Sequence, residues 1–217
     1  MIGPLVWMLC VHYFITQLVV ADAWQIPYSI MHNPISDLGN TECGLYAGRY
    51  VCSPLYNLMN ASFIMLGAFM AFGSALIYQG FRKTTGSYVG FSLMTMAGIG
   101  AVLVGAFPEN TIGPMHSLGA LLAFLFGNLA LVVLGGTLDM PKYMRFYTLL
   151  SGFIGLLALV LYGLQSYLGL GEGGMERLVA YPQTFWLIVF GVYISSHQYR
   201  IQRLRHSRKR DLTKRTT

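Results

Sequence analysis

The chain has 217 residues, of which 55% are hydrophobic and 10% charged, and its mean hydropathy is +0.55. A water-soluble globular domain carries more charge than this, so the composition excludes that class and indicates an integral membrane protein. The formal net charge of +6 does not indicate nucleic-acid binding, because the basic residues gather in short loops and at one end of the chain.

Six apolar segments follow one another, each close to the ~20 residues that a helix needs to cross the hydrocarbon core. They predict an all-α fold, a polytopic bundle of six transmembrane helices. The segments are residues 4–20, 54–79, 87–107, 115–138, 146–170 and a last one that follows Arg177 and ends near His197. Residues 1–199 then form one membrane domain with a long loop at 22–53, and residues 200–217 form a basic tail.

The first segment has two interpretations. Ala21-Asp22-Ala23 resembles the small-residue cleavage site of a signal peptide. The preceding Met1-Ile2-Gly3, however, lacks the positive charge that a signal peptide carries at its start. We therefore expect a retained helix.

The charged residues predict the orientation of the bundle. Six crossings place both termini on one side, and that side carries 12 of the 14 basic residues, in the turns near residues 82 and 142 and in the tail. Six of the 8 acidic residues lie on the other side. The positive-inside rule makes the tail side cytoplasmic and the 22–53 loop extracytoplasmic. We expect the bacterial cytoplasmic membrane, with the tail able to contact anionic lipid headgroups.

Cys43 and Cys52 lie nine positions apart in this loop. They are either bridged or two buried free thiols. A disulfide persists in an oxidising compartment, and the predicted orientation places the loop in one. We therefore predict a Cys43–Cys52 bridge.

Polar side chains gather at the ends of the apolar segments on the side of the 22–53 loop, where a bundle brings them into one pocket. We expect Arg177 to neutralise Asp37 or Glu176, because unpaired charge at the membrane edge is costly. That leaves His116 available for proton transfer. The candidate catalytic residues are Ser36, Asp37, His116, Glu176 and Arg177, and the candidate binding residues are His32, Asn57, Asn60, Glu109 and Tyr181.

Each of these residues also has a purely structural interpretation. Ser36 and Asp37 suit a helix cap or a turn. Asn57 and Asn60, three positions apart, suit hydrogen bonds to a neighbouring helix. His116 follows Gly113-Pro114 and suits the first turn of its helix.

The chemistry of the candidate site is open at this level. A histidine base with Ser36 or water as nucleophile would perform hydrolysis or acyl transfer. His32, His116, Asp37 and Glu176 have donor atoms that suit zinc, but their spacing matches no zinc motif, so we predict no metal or other cofactor. Two alternatives to a lipid-active enzyme are a carrier for a lipid or small amphiphile and a non-catalytic accessory subunit.

Several short motifs resemble those of one protein family. They are Ile35-Ser36-Asp37-Leu38-Gly39, Tyr56-Asn57-Leu58-Met59-Asn60, Phe107-Pro108-Glu109, His116-Ser117-Leu118-Gly119-Ala120 and Gly174-Met175-Glu176-Arg177-Leu178. The chain resembles the bacterial domain-of-unknown-function 998 family across its membrane region. More remotely it is similar to Frag/DRAM-type proteins, some of which remodel the lipid part of glycolipid anchors. The resemblance implies a multi-helix membrane fold and, at most, work on a membrane lipid.

The orientation can be tested by labelling single cysteines placed at Glu42 and Lys142. We expect a membrane-impermeant thiol reagent applied to intact cells to label position 42 and not position 142, because only the first lies in the extracytoplasmic loop. Labelling of position 142 alone would invert the topology.

Overall fold

The computed structural model describes residues 2–215, with side chains described for residues 2–196. The described chain contains six helices that are long and apolar enough to cross a membrane, as predicted, and the strands are confined to one short hairpin. The helices are α1 (Gly3–Asp22), α2 (Tyr56–Tyr78), α3 (Thr85–Ala106), α4 (Gly113–Thr137), α5 (Lys142–Gly163) and α6 (Gly171–Arg215). A short 3-10 turn at Leu9–Val11 interrupts α1.

Local sequence explains where these helices differ from the predicted segments. The α3 helix begins at Thr85 because Thr84 and Ser87 form a capping box, in which each side chain accepts the other's backbone N–H. The α5 helix ends at Gly163 and not near residue 170, because Gln165 and Leu168 have positive φ angles that no helix contains.

The last helix continues to Arg215, beyond its predicted end near His197. Its part Gly171–Ser196 is long and apolar enough to span a membrane. The side chains of the predicted basic tail lie outside the described residues, so the domain boundary at residue 199 and the contact with lipid headgroups stay predictions.

The six helices form a closed ring. Each packs against its neighbours in sequence, and α6 returns to pack against α1. Trp7 of α1 lies 5.4 Å from Trp186 of α6 between ring centroids, and Trp186 stacks on Phe190 at 4.5 Å. All three side chains are fully buried. Large aromatic surfaces of this kind add packing energy where the ring closes.

The α2 and α3 helices cross at a pair of glycines. A Cβ atom added to Gly98 would lie 2.5 Å from the carbonyl oxygen of Gly67, and one added to Gly67 would lie 2.3 Å from that of Gly98. Only glycine permits backbones to approach this closely in a membrane bundle.

The segment between α1 and α2 folds over one end of the bundle, which we call the loop side. It contains a buried 3-10 turn at Ser36–Gly39 and a hairpin of strands β1 (Gly44–Tyr46) and β2 (Arg49–Val51), with Gly44 opposite Val51. Ala47 and Gly48, both with positive φ, make the two-residue turn of this hairpin. The predicted disulfide is confirmed: Cys43 and Cys52 are joined by an S–S bond of 2.00 Å at the base of the hairpin.

Substituting Gly98 by Ala should destabilise the bundle by about 1–3 kcal/mol, because the added methyl group meets the α2 backbone and forces the helices apart. Gly136→Ala is the matched control, since a Cβ at that position in α4 has nothing within 4 Å. Thermal unfolding in detergent measures both variants. Equal midpoints for the two would show that the α2–α3 crossing tolerates a side chain.

Candidate functional site

The candidate site is organised by the 3-10 turn at Ser36–Gly39, which dips into the loop side of the bundle. Ile35 and Leu38 anchor it by burying their apolar side chains completely. The Ser53 hydroxyl donates to the carbonyl of Leu38 at 2.7 Å, and the Asn60 amide donates to the carbonyl of Gly39 at 2.8 Å. These bonds satisfy backbone carbonyl groups that would otherwise be buried without a partner.

Asp37 points from this turn into an ion pair with the hairpin. Its side chain is fully buried, and its two oxygens each accept a hydrogen bond of 2.7 Å from Arg49. The Asn33 amide adds a third bond at 3.1 Å, and Arg49 also reaches Glu172 at 3.3 Å. A two-pronged pair of this geometry is the arrangement that compensates best for burying a carboxylate.

The prediction that Arg177 pairs with Asp37 or Glu176 is wrong. Its Nη1 donates to the carbonyls of Ile30, Asn33 and Gly173 at 2.8 to 3.0 Å, and Nη2 donates to the Tyr28 hydroxyl. Successive residues of a helix point about 100° apart, so Arg177 faces the 28–33 segment while Glu176 faces the bundle. Arg177 therefore fastens that segment to α6.

Ser36 points toward α4 and α6. Its Oγ lies 2.9 Å from Nε2 of His116 and 3.3 Å from Oε1 of Glu176. The other carboxylate oxygen of Glu176 accepts the backbone N–H of Ile35. Glu176 therefore fixes the backbone next to Ser36 as well as touching its hydroxyl.

The ring of His116 is oriented by its second nitrogen. Nδ1 lies 2.9 Å from the carbonyl oxygen of Phe107, and a carbonyl can only accept a hydrogen bond. Nδ1 therefore carries the proton in the neutral ring, and the lone pair of Nε2 is directed at the Ser36 hydroxyl. A serine hydroxyl beside an oriented, unprotonated imidazole nitrogen is the pairing that activates a nucleophile.

These groups lie at the polar end of a cavity of about 310 Å³ between α4, α5 and α6. Its polar lining includes Ser36, Glu109, His116, Ser117, Tyr162, Glu172 and Glu176. Its apolar lining includes Ala120, Leu121, Phe124 and Leu159. Ser117, Leu121 and Gly163 are exposed, so the cavity reaches the outer surface of the bundle between α4 and α5.

Glu109 enters this cavity from the connection between α3 and α4. Burial and then the nearby charge of Asp37 raise the pKa of the Glu109 carboxyl well above its usual value of 4.5. Its Oε1 atom is buried without a hydrogen-bond partner among the described residues. A neutral carboxylic acid is therefore the favoured form of this group at neutral pH.

Other predicted site residues do not line the cavity. Asp37 is held by Arg49 and contacts the side chain of Glu109 without lining the cavity itself, and Asn60 supports the turn. His32 and Asn57 are exposed. The Tyr181 hydroxyl donates to Gln17 at 2.8 Å. Of the ten candidates, the structure thus brings Ser36, Glu109, His116 and Glu176 together around one space.

The four donors considered for zinc are not brought together, because His32 is exposed and Asp37 is occupied by Arg49. Among the described residues, no group of three or more His, Cys, Asp or Glu side chains is arranged to hold a metal ion.

Arg49 and Glu172 were missed by the sequence reasoning. Arg49 is one of only two basic residues on the loop side of the predicted topology, the other being Arg177. Because a carboxylate at the membrane edge requires a cation, these two arginines were the candidate partners that the sequence indicated. Choosing between the two arginines required the hairpin, which no pattern in the sequence indicated.

Six membrane-spanning helices with a polar cavity at one end define an integral membrane helical bundle. A family model described as "Protein of unknown function (DUF998)" matches residues 1–193, and the chain belongs to this family. The resemblance predicted from the motifs is thus confirmed, whereas the more remote likeness to Frag/DRAM-type proteins is not. No curated protein and no solved structure matches the chain.

The raised pKa of Glu109 predicts how stability depends on pH. Above about pH 4.5 the unfolded chain loses this proton while the folded protein keeps it, so the free energy of unfolding falls as pH rises toward the raised value. Glu109→Gln should make the free energy of unfolding depend less on pH. It should also raise the thermal unfolding midpoint at pH 8, by about 2–4 °C for each kcal/mol gained in the free energy of unfolding. Midpoints measured between about pH 5 and 8 test this.

The matched control is Glu42→Gln, because Glu42 is an exposed carboxylate in the 22–53 loop, at the same end of the bundle as Glu109. It should leave the pH profile as in the wild type. A Glu109→Gln profile that still follows the wild type would assign the pH dependence to another group.

Proposed function

We propose that the protein is a serine-dependent esterase or acyltransferase that acts on an ester at the membrane surface, with Ser36 as nucleophile and His116 as general base. The observation that carries this proposal is the 2.9 Å contact between Ser36 Oγ and His116 Nε2 at the wall of an open cavity. Nucleophile and base are within the reach that proton transfer requires.

The proposed reaction has two halves. Ser36 Oγ bonds to the carbonyl carbon of the ester while its proton moves to Nε2 of His116. The bond from that carbon to the alcohol oxygen then breaks, and the alcohol leaves with the proton from His116. Water, activated by the same nitrogen, releases the acid from Ser36, and an alcohol in place of water gives acyl transfer.

Glu176 and Phe107 act as positioning groups in this scheme. The Phe107 carbonyl holds the imidazole in the tautomer that accepts a proton at Nε2. Glu176 contacts the same Oγ atom as His116, so in its ionised form it would be near enough to favour the imidazolium formed when Ser36 attacks. It also fixes the turn through the N–H of Ile35.

An amphiphilic substrate is supported by the shape of the cavity. Its polar end lies beside the Ser36–Gly39 turn, its apolar end extends between α4 and α5, and exposed residues on both helices leave it open to the side. A molecule diffusing in the bilayer enters such a cavity without leaving the membrane. A membrane lipid or lipid-like ester therefore fits better than a fully water-soluble one.

A second candidate is a carrier that binds the same class of amphiphile without chemistry. The combination of an apolar wall with a few polar groups in 310 Å³ favours it, since that is what a binding site for a small amphiphile needs. The carrier requires the cavity but not the Ser36–His116 contact. The two candidates are therefore separated by variants of Ser36.

A fluorophosphonate probe tests the proposal on the purified protein in nanodiscs. We expect covalent labelling that mass spectrometry maps to Ser36, that Ser36→Ala abolishes, and that His116→Gln slows about 10²–10⁴-fold. Ser117→Ala is the control, because Ser117 lines the same cavity without the histidine contact.

Labelling that persists in Ser36→Ala, or that maps to Ser117, would contradict the assigned nucleophile. The carrier would instead be favoured by two results together: the probe does not label the wild type, and Ser36→Ala retains as much co-purifying lipid as the wild type.

A further inference from the structure

A second, smaller cavity lies on the inner side of the Ser36–Gly39 turn. Its volume is about 40 Å³, and it extends from Ser36 and Glu176 into the centre of the bundle. The two cavities have Ser36, Ala120, Phe124 and Glu176 in common. The Ser36 side chain therefore stands at the boundary between an inner and an outer space.

The inner cavity exists because small side chains from three helices face it. These are Ala101 of α3, Ala120 and Ala123 of α4, and Ala180 of α6. Phe63, Leu66 and Met70 of α2 supply its far wall. A single water needs about 10–15 Å³ measured in the same way, so the space holds a short aliphatic group but not a fatty-acyl chain.

The carbonyl carbon of an ester attacked by Ser36 must lie next to Oγ, and its two substituents must point in different directions. Two spaces adjoin the Ser36 side chain, one small with a mostly apolar lining and one large, polar at its near end and open. The alkyl part of the acid matches the first, and the alcohol part matches the second.

We infer that the inner cavity is an acyl pocket that restricts the enzyme to short acyl groups, of about two to four carbons, on a larger amphiphilic alcohol held in the outer cavity. This inference rests on the proposed function and names its substrate class. It makes Ala101 and Leu66 specificity-determining residues. Neither takes part in the chemistry.

Hydrolysis of p-nitrophenyl acetate, butyrate and octanoate by the protein in nanodiscs tests the pocket. The wild type should prefer acetate and butyrate to octanoate. Leu66→Ala removes the far wall and should raise kcat/KM for octanoate relative to acetate by about tenfold or more, since each methylene in an apolar pocket counts for roughly that factor. A gain of this kind cannot come from misfolding.

The matched pair for the opposite effect lies on α3. Ala101→Val fills the pocket and should lower kcat/KM for butyrate more than for acetate. Ala106→Val, five residues along the same helix and exposed, should leave the butyrate-to-acetate ratio unchanged. Both substitutions add the same two methyl groups. A difference between their butyrate-to-acetate ratios therefore results from where the added groups lie.

The outcomes distinguish the two proposals. In one outcome, hydrolysis depends on Ser36 while Leu66→Ala and Ala101→Val show the same preference among acetate, butyrate and octanoate as the wild type. That result would overturn the acyl pocket and leave the proposed function standing. Absence of Ser36-dependent hydrolysis of every ester, together with absence of fluorophosphonate labelling, would overturn both.

Discussion

The structure of the loop side depends on the buried ion pair between Asp37 and Arg49. Asp37 has no exposed surface, and taking a carboxylate out of water costs several kcal/mol unless a cation and further donors replace the water. Arg49 supplies two hydrogen bonds and Asn33 a third. Removing one partner of such a pair typically costs 3–5 kcal/mol, because the other charge is left buried. The turn and the hairpin therefore stabilise each other.

This pair also determines where Ser36 points. Residues 36 and 37 are adjacent in one 3-10 turn, so fixing Asp37 toward the hairpin directs Ser36 toward α4 and α6. The Cys43–Cys52 bridge and the Ala47-Gly48 turn hold the hairpin that presents Arg49. A covalent link in the loop thus supports the geometry of a hydroxyl group at the edge of the membrane.

Much of this architecture could be predicted from the sequence, because the membrane spans, the disulfide and the family each appear in it directly. They appear as apolar segments, as two cysteines in one loop and as short motifs. The site was predictable only in part. Glu176 and Arg177 are neighbours in sequence, and only the phase of α6 shows that one faces the cavity and the other the 28–33 segment. The partner of Asp37 lies 12 residues away across a hairpin, and no pattern within a single helix reveals a contact of that kind.

The Ser36–Gly39 turn brings irregular backbone into the loop side of the bundle. Irregular backbone is tolerated at membrane depth only where protein groups satisfy it. Here Ser53, Asn60 and Glu176 do so for Leu38, Gly39 and Ile35. The same bonds that permit the turn to enter the bundle place Ser36 below the loops, beside a cavity that opens between helices. Under the proposed function, a lipid ester would reach Ser36 from the side, whereas a hydroxyl on a surface loop would require its extraction from the bilayer.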